Sequence, residues 1–374
     1  MKLLFWLAVT TIIYVYIGYP VLIYLLSLFY KKPVRGKYVY PTVSLIVSAY
    51  NEEKNIEKKI ISLLSLEYPE ERMEILIGSD GSTDRTDEII YKYTNSRLKL
   101  FRQEKRQGKP GMLNLLAQNA TGEILIFTDA RQRLDKDAVR ELVKYFADNK
   151  VGSISSALFY ENEKHNNKTA EGIGLYWKYE KFIRKSESRM GSMLGATGAL
   201  YAIRRELFPK LPANLILDDI YIPMKIIEKG YRAIFDAKAK VYDTVYDNPK
   251  SEFLRKVRTL AGNYQLFIYL GHLFNPLKGK ISWQFFSHKF LRLIVPFLLL
   301  FIFGANILLS KTAFYKTTFI LQLVFYCLAF CGLLLKNKNR IFDVPYMFCV
   351  LNAAAVVGLY KFLTGRQEVT WERA

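Results

Sequence analysis

Cysteine is scarce in this chain of 374 residues, which contains three. Cys327, Cys331 and Cys349 all lie in apolar stretches near the C-terminus. Their spacing fits neither a metal site nor a disulfide framework. Acidic residues are also few, 34 against 54 lysines and arginines, which leaves a net charge of +20. The composition therefore argues against a cysteine-stabilised fold and indicates a strongly basic protein.

The excess of positive charge is compatible with three classes of protein. These are nucleic-acid binders, membrane proteins that face an anionic leaflet, and enzymes that handle nucleotide diphosphates. The basic stretch from Arg102 to Lys109 contains no aromatic residue, although binders of single-stranded nucleic acid usually stack bases on aromatic rings. We therefore expect no nucleic-acid partner.

Charge is absent from residues 3–30, which form one apolar run. A spanning helix needs about 20 apolar residues, whereas the apolar core of a cleavable signal peptide has about 7–15. The run is too long for the second alternative and predicts a transmembrane helix. Basic residues follow it, and by the positive-inside rule this flank and the domain after it face the cytoplasm.

Three more apolar runs follow near the C-terminus, at about 290–310, 317–335 and 342–363. The basic loop at 336–340 between the last two is predicted to be cytoplasmic. Residues 266–289 are aromatic with interspersed lysines, which predicts either an interfacial amphipathic segment or a lid or core helix of the soluble part. The predicted organisation is, in chain order, a transmembrane helix (1–30), a cytoplasmic catalytic domain (31–265), an interfacial segment (266–289) and a transmembrane region of about three helices (290–374).

The middle of the chain alternates strand and helix patterns. Short β-branched runs at 43–47, 74–78 and 123–127 are separated by segments of helical periodicity. This alternation predicts an α/β fold built from βαβ units with a parallel sheet. Ligands of such sheets bind at the carboxyl ends of the strands, so the polar residues that follow each strand are the candidates for a site.

Polar residues follow three of the predicted strands. Tyr50, after the first strand, offers a ring face to a base, and Asp80, after the second, can accept hydrogen bonds from a base or ribose. Gly81 permits close approach of the backbone. Asp129, after the run at 123–127, can hold a divalent cation that neutralises a diphosphate. Each acidic residue alone is also compatible with a turn or a helix cap, but their occurrence after successive strands favours a nucleotide site.

Further candidates lie outside these strand ends. Lys109 precedes a helix and so lies at a natural anion site, although a charge run is usually a solvated face. The small residues at 191–200 permit close approach of a ligand or simply pack tightly. Asp218 and Asp219 are adjacent carboxylates; we expect one of them to cap the following helix, which leaves the other as a candidate general base.

These motifs, in this order, resemble the membrane-bound family-2 glycosyltransferases, the group that contains cellulose, hyaluronan and poly-N-acetylglucosamine synthases. The resemblance extends from about residue 41 to 265 and includes the membrane layout. The matching segments are Ala49-Tyr50-Asn51-Glu52, Asp80-Gly81-Ser82-Thr83-Asp84, Gly108-Lys109 with Asn114 following, Asp129-Ala130-Arg131, Asp218-Asp219, and Arg255-Lys256-Val257-Arg258-Thr259.

The resemblance implies a GT-A (Rossmann-like) catalytic domain and direct displacement that inverts the anomeric centre. It implies a UDP-sugar donor, Mg²⁺ or Mn²⁺, a glycan or lipid-linked acceptor, and a place in the bilayer. By the same resemblance Asp219 is the base, with Asp218 beside it, and Asp129 holds the metal. Donor binding falls to the remaining motif residues, which are Tyr50, Asn51, Glu52, Asp80, Lys109, Arg255 and Arg258.

Two residues depart from the family pattern. Arg131 replaces the second aspartate of the metal motif, and Thr259 replaces the tryptophan that borders the acceptor in processive synthases. Arg255 and Arg258 are compatible with a diphosphate clamp or with contact to anionic lipid. Addition of one or a few sugars fits these departures at least as well as long-polymer synthesis does.

Two other functions fit parts of the pattern. A polyprenyl-phosphate sugar transferase uses a lipid phosphate as its nucleophile and needs no base, so loss of Asp219 would matter little. A basic membrane protein that binds acidic polymers would have no nucleotide site, so changes to Asp80 or Asp129 would be silent.

Overall fold

We analysed a computed structural model of the chain, which describes residues 1–160, 168–244, 249–335 and 339–367. Most of the basic loop predicted to be cytoplasmic, residues 336–338, lies outside these ranges, as does the end of the predicted transmembrane region, residues 368–374. The chain forms two compact units. Of the described residues, the sheet unit contains 26–160 and 180–244, and the helical unit contains 1–25, 168–179, 249–335 and 339–367.

The sheet unit is built on eight strands in the order β3-β2-β1-β4-β7-β6-β8-β5. The strands are β1 (Val43–Ala49), β2 (Met73–Asp80), β3 (Leu98–Gln103), β4 (Ile124–Thr128), β5 (Arg133–Leu134), β6 (Val151–Tyr160), β7 (Leu200–Arg204) and β8 (Arg232–Asp243). The strand patterns expected at 43–47, 74–78 and 123–127 thus coincide with β1, β2 and β4.

The sheet is mixed rather than parallel throughout. β1 to β4 run parallel to one another. The mostly apolar, buried sequences of β1, β2 and β4 suit strands covered on both faces, whereas β3 is a partly exposed edge strand. β7 runs antiparallel to both β4 and β6, and β5 runs antiparallel to β8. The parallel half brings the carboxyl ends of β1, β2 and β4 to one edge.

The helices of the chain follow the predicted alternation in its first part. In order they are α1 (Lys2–Ile13), α2 (Tyr19–Phe29), α3 (Ile56–Leu64), α4 (Thr86–Tyr91), α5 (Lys109–Asn119), α6 (Ala138–Val143), α7 (Lys168–Met190), α8 (Asp218–Glu228), α9 (Pro249–Tyr269), α10 (Lys280–Phe285), α11 (Leu291–Leu309), α12 (Ala313–Leu335) and α13 (Arg340–Leu363). Short 3₁₀ turns lie at Glu70–Arg72, Lys144–Ala147, Arg205–Leu207, Gly271–Phe274 and Pro276–Lys278.

Four helices are long and apolar enough to cross a membrane among the described residues: Lys2–Phe29, Lys280–Leu309, Ala313–Leu334 and Ile341–Leu363. This confirms the prediction of about four such helices. The first joins α1 and α2 through a π-helical turn at Tyr14–Gly18. The second begins about ten residues before the predicted run, because a π-helical turn at Phe286–Phe290 continues α10 into α11.

The last apolar helix packs along α9 within the helical unit. Gly358 allows this, since a Cβ there would lie 3.0 Å from the backbone nitrogen of Ala261. Tyr264 and Phe362 stack with ring centroids 6.2 Å apart. The range predicted as catalytic, 31–265, therefore includes part of a helix that the structure groups with the apolar helices; the predicted domain boundaries stay a prediction.

Candidate active site

The loops that follow β1 and β2 are tied to each other by side-chain hydrogen bonds. Asn51 adopts a left-handed backbone conformation, with φ of 52°, which asparagine tolerates better than most residues. Its Oδ1 accepts a hydrogen bond from the backbone N–H of Thr83 at 2.8 Å. The backbone N–H of Glu52 donates to Thr86 Oγ1 at 2.7 Å. Asn51 and Glu52, both predicted to bind the donor, thus also fix the Asp-Gly-Ser-Thr-Asp loop.

Asp80 is buried at the end of β2 and anchors the basic loop. Its two carboxylate oxygens accept hydrogen bonds from the backbone N–H groups of Gln107, at 2.7 Å, and Gly108, at 2.8 Å. Gly81 has φ of 71°, and a Cβ there would lie 3.1 Å from the backbone nitrogen of Arg106. The backbone at 106–108 is therefore held against the strand end, whereas the side chains of Arg102 and Lys105 stay exposed to solvent.

Arg106 from this loop covers the ring of Tyr50. Its guanidinium carbon lies 3.6 Å from the ring centroid, which is a close cation–π contact. The aromatic residue that the sequence predicted to stack on a base therefore lies beside a positive charge suited to a phosphate or an electron-rich ring.

Lys109 forms ion pairs with acidic residues from two separate parts of the sequence. Its ammonium lies 3.0 Å from Asp129 Oδ1 and 3.2 Å from Asp218 Oδ1. Asp129 follows β4, whereas Asp218 begins α8, so the lysine connects acidic residues from distant parts of the chain. Burial alone would lower the pKa of Lys109, but the two carboxylates outweigh it and raise the pKa. The lysine is therefore charged at all physiological pH values.

The acidic pair at the start of α8 is asymmetric. Asp218 is buried, and its Oδ2 accepts a hydrogen bond from the hydroxyl of Tyr201 at 3.2 Å. Asp219 is partly buried, and burial together with the negative charge of Asp218 raises its pKa to about 6, although Lys109 and Arg184 oppose the shift. A carboxyl group with this pKa can accept a proton near neutral pH.

A glycine makes room for Asp219. A Cβ on Gly198 would lie 3.1 Å from Asp219 Oδ2. Nearby, Arg184 donates to Thr197 Oγ1 at 2.7 Å, and the backbone N–H of Ala196 donates to the carbonyl of Asp219. The small residues predicted to permit close approach therefore line the acidic pair.

Lys59 stabilises the segment that carries Asp129 through hydrogen bonds. This fully buried lysine donates to Thr128 Oγ1 at 2.7 Å and to the carbonyl of Gln132 at 2.8 Å, so it holds both sides of Asp129. Burial lowers the pKa of Lys59 to about 7, against the opposing charges of Asp129 and Asp243.

Arg131, which replaces the second aspartate of the metal motif, turns away to β8. Its Nε and one terminal nitrogen donate to the two carboxylate oxygens of Asp243, at 2.9 and 2.6 Å. Arg131 therefore stabilises the fold through this bidentate ion pair. Asp129 is the acidic residue of the motif that can still bind a cation.

Within the described residues no group of three or more histidine, cysteine, aspartate or glutamate side chains could hold a metal unaided. Mg²⁺, however, is commonly bound through one or two carboxylates together with substrate phosphates. Lys109 contacts Oδ1 of Asp129, and Oδ2 has no hydrogen-bond partner among the described residues. Asp129 therefore fits a cation whose other ligands are diphosphate oxygens and water.

Arg255 and Arg258 lie on α9 in the helical unit. Arg255 forms an ion pair with Glu252, with one nitrogen–oxygen distance of 2.6 Å. The hydroxyl of Thr259 bonds to the carbonyl of Arg255 in the preceding turn. The role of both arginines in donor binding stays a prediction.

The structure brings together the predicted residues of the sheet unit, which are Tyr50, Asn51, Glu52, Asp80, Lys109, Asp129, Asp218 and Asp219. Sequence reasoning missed Lys59, Tyr201, Arg184 and Asp243. No local pattern marks these four, because each lies within an ordinary helix or strand and meets the site only through the tertiary fold.

Comparison with known proteins points to one family. Residues 44–211 match the model described as glycosyl transferase family 2. A poly-beta-1,6-N-acetyl-D-glucosamine synthase from Staphylococcus epidermidis is 24% identical over 364 aligned residues, which cover 88% of this chain and 86% of the relative. The enzyme of the same description from Staphylococcus aureus strain COL is 25% identical over 260 residues, covering 67% of this chain and 61% of the relative.

A solved structure shares the fold over nearly the whole length. It is the mannosyltransferase PcManGT from Pyrobaculum calidifontis in complex with GDP-Man and Mn²⁺, with a TM-score of 0.74 and 22% sequence identity. The match covers 97% of this chain and 99% of the other. The GT-A type of fold and the accompanying apolar helices predicted from the sequence are thereby confirmed.

Proposed function

Since this chain is a glycosyltransferase with a family-2 domain over residues 44–211, we propose that it transfers a sugar from a UDP-sugar to a hydroxyl group of a glycan or lipid-linked acceptor. The transfer proceeds by a single displacement with inversion at the anomeric carbon. One observation carries the proposal: the Lys109 ammonium contacts both Asp129, the proposed cation ligand, and Asp218, one member of the acidic pair.

The donor is assigned to the edge formed by β1, β2 and β4. The ring of Tyr50 with Arg106 above it, and the loop anchored by Asp80, are suited to the nucleoside and its phosphates. Lys109 at the start of α5 adds an ammonium and the helix terminus, both of which favour an anion. The Staphylococcus relatives are named for N-acetyl-D-glucosamine, which makes UDP-N-acetylglucosamine the first donor to test.

Asp129 would hold Mg²⁺ or Mn²⁺. When bound there, the cation supplies neutralisation of the negative charge that develops on the departing diphosphate. Lys109 contributes a second, permanent positive charge beside the same carboxylate, so this chain's own residues share the stabilisation of the leaving group.

Asp219 is assigned as the general base. Its carboxylate takes the proton of the acceptor hydroxyl as the oxygen attacks the anomeric carbon. Its pKa of about 6 leaves it mostly ionised at pH 7 yet more basic than an ordinary aspartate. Asp218 is held by Tyr201 and Lys109, so it acts as the fixed neighbour that raises the basicity of Asp219.

Four helices among the described residues are long and apolar enough to cross a bilayer, which supports a membrane location. The basic residues after the first helix, from Lys31 to Lys37, favour a cytoplasmic sheet unit, where nucleotide sugars are available. Arg255 and Arg258 are assigned either to the diphosphate or to anionic lipid.

Release of nucleotide and transfer of sugar by the purified protein in detergent test the proposal. The donor panel contains UDP-N-acetylglucosamine, UDP-N-acetylgalactosamine, UDP-glucose and GDP-mannose, each with and without Mn²⁺ or Mg²⁺. Asp219→Asn is expected to lower transfer by about 10²–10⁴-fold, the usual contribution of a general base, and Asp129→Ala is expected to abolish the response to added metal.

Asp137→Asn is the matched control, because Asp137 is a surface residue paired with Arg140; it should retain full activity. Transfer to a polyprenyl phosphate that survives Asp219→Asn would replace this proposal with the phosphate-acceptor reaction. Absence of turnover with every donor, by a folded protein that also fails to bind UDP, would refute it.

A further inference from the structure

The helical unit contains a cavity of about 420 Å³ between its apolar helices. Its walls come from α1, α11, α12 and α13, and most of them are aliphatic or aromatic side chains. Asn306 lies at the inner end and is 1% exposed, whereas Val344, which also lines the cavity, is 56% exposed. The cavity therefore runs from the outer surface of the helices towards their centre.

The polar side chains that line the cavity form hydrogen bonds with one another. Thr318 donates to Asn306 Oδ1 at 2.9 Å, and Asn306 donates to Gln322 Oε1 at 3.1 Å. Gln322 in turn donates to the hydroxyl of Tyr326 at 3.1 Å and weakly to the carbonyl of Leu299 at 3.4 Å. These bonds join α11 to α12, and they leave few groups that require water or a sugar as partner.

A cavity of this volume lies within the range of ligand sites, about 300–1,000 Å³. This cavity opens on the outer surface of the apolar helices, and apolar walls accept apolar guests. An ion or a glycan would instead need unsatisfied polar groups on the wall. The observations therefore point to a hydrocarbon guest.

We propose that this cavity is a lipid site that holds one acyl chain of a bilayer phospholipid. Phospholipid surrounds spanning helices at far higher concentration than any substrate lipid, so mass action favours it as the occupant. The acyl chain enters past Val344 and fills the cavity as far as the polar side chains of Asn306 and Gln322. This inference rests on the membrane placement proposed above and is independent of the transfer reaction.

Photolabelling of the full-length protein in nanodiscs tests the proposal. The probe is phosphatidylglycerol with a diazirine on one acyl chain, and labelled peptides are identified by mass spectrometry. We expect adducts on cavity residues of α11 and α12, near Ile302 and Phe325. Labelling that is confined to residues outside the cavity would overturn the proposal without any variant being needed.

Val344→Phe places a ring at the entrance and is expected to lower cavity labelling by about tenfold, as overpacking of a site implies. Val356→Phe makes the same change on the same helix at a residue that does not line the cavity, and it should label like the unmodified protein. Equal labelling of both variants would refute entry at this point.

Competition with unlabelled lipids identifies which lipid supplies the acyl chain. Unlabelled phosphatidylglycerol should reduce cavity labelling, whereas an equal mole fraction of polyprenol should have little effect. Strong competition by polyprenol alone would overturn the assignment to phospholipid. Turnover of nucleotide sugar in the same nanodiscs is measured separately, so failure of the lipid site and failure of the transfer reaction are distinguishable.

Discussion

The side-chain amide of Asn114 and the backbone of Leu211 exchange two hydrogen bonds of 2.9 Å each. Asn114 lies on α5, whose first residue is Lys109, and Leu211 lies in the segment that leads to α8, which begins at Asp218. The pair therefore connects the two elements whose ends meet in the candidate site. The resemblance placed Asn114 after the Gly-Lys motif without a role, and this contact supplies one.

Replacing Asn114 tests that connection. Asn114→Ala removes both hydrogen bonds, each worth about 1 kcal/mol, so we expect the free energy of unfolding to fall by about 2 kcal/mol. Since a small misplacement of catalytic groups lowers turnover steeply, kcat should fall more than KM rises. Asn119→Ala is the control, because among the described residues the Asn119 side chain bonds only to the carbonyl of Leu115 in its own helix. Loss of stability with unchanged kcat would limit Asn114 to a structural role.

Much of the sheet unit follows from local sequence. The β-branched runs predict β1, β2 and β4 because each is short, apolar and followed by polar turn residues. The antiparallel strands were not predicted, because the direction of β7 depends on its pairing with β4. Even the nearest paired positions, Thr128 and Leu200, are 72 residues apart in sequence. Strand order of this kind is set by tertiary packing, which leaves no periodic signal.

The residues of the candidate site also fall into two groups, those that sequence motifs reveal and those that only the fold brings to the site. Asp80, Asp129 and Asp219 follow or precede recognisable elements, so a motif reveals them. Lys59 is one of two lysines on the amphipathic helix α3, and only the fold places its ammonium next to the segment that carries Asp129. The interpretation of Asp80 as a direct ligand of the base is now joined by a second role, because both of its oxygens already bind the loop.

A change at Asp80 separates these two roles. Asp80→Asn keeps one acceptor oxygen for the loop, whereas Asp80→Ala keeps none. If the carboxylate acts mainly through the loop, Asp80→Ala should lower both thermal stability and UDP affinity, and Asp80→Asn should retain most of both. Isothermal titration with UDP and thermal unfolding measure the two effects. Equal loss of UDP affinity in both variants, with stability unchanged, would indicate a direct contact with the nucleotide.

The ion pair of Arg131 with Asp243 predicts strong coupling between the two residues. The side chain of Asp243 is 2% exposed, and removing one partner of a buried pair typically costs about 3–5 kcal/mol because the other charge is left without compensation. Arg131→Met and Asp243→Asn should each destabilise the protein strongly, and the double variant should lose less than the sum. Thermal unfolding of the four proteins in the cycle measures the coupling. Additive losses would show that the pair is not energetically linked.

The raised pKa of Asp219 predicts that its ionisation opposes folding. The pKa is 3.8 for an ordinary aspartate and about 6 in the native state, so the folded protein binds the proton more tightly and loses stability as the pH rises from about 4 to about 6. One pKa unit corresponds to about 1.4 kcal/mol, which gives a penalty of up to about 3 kcal/mol above pH 6. Asp219→Asn removes the titration, so the stability of the variant relative to the unmodified protein should increase across this interval and level off above it. Metal-free unfolding curves of both proteins at pH 4, 5, 6 and 7 check this. A difference that stays constant with pH would mean that Asp219 has an ordinary pKa, and its assignment as the base would then lose its electrostatic support.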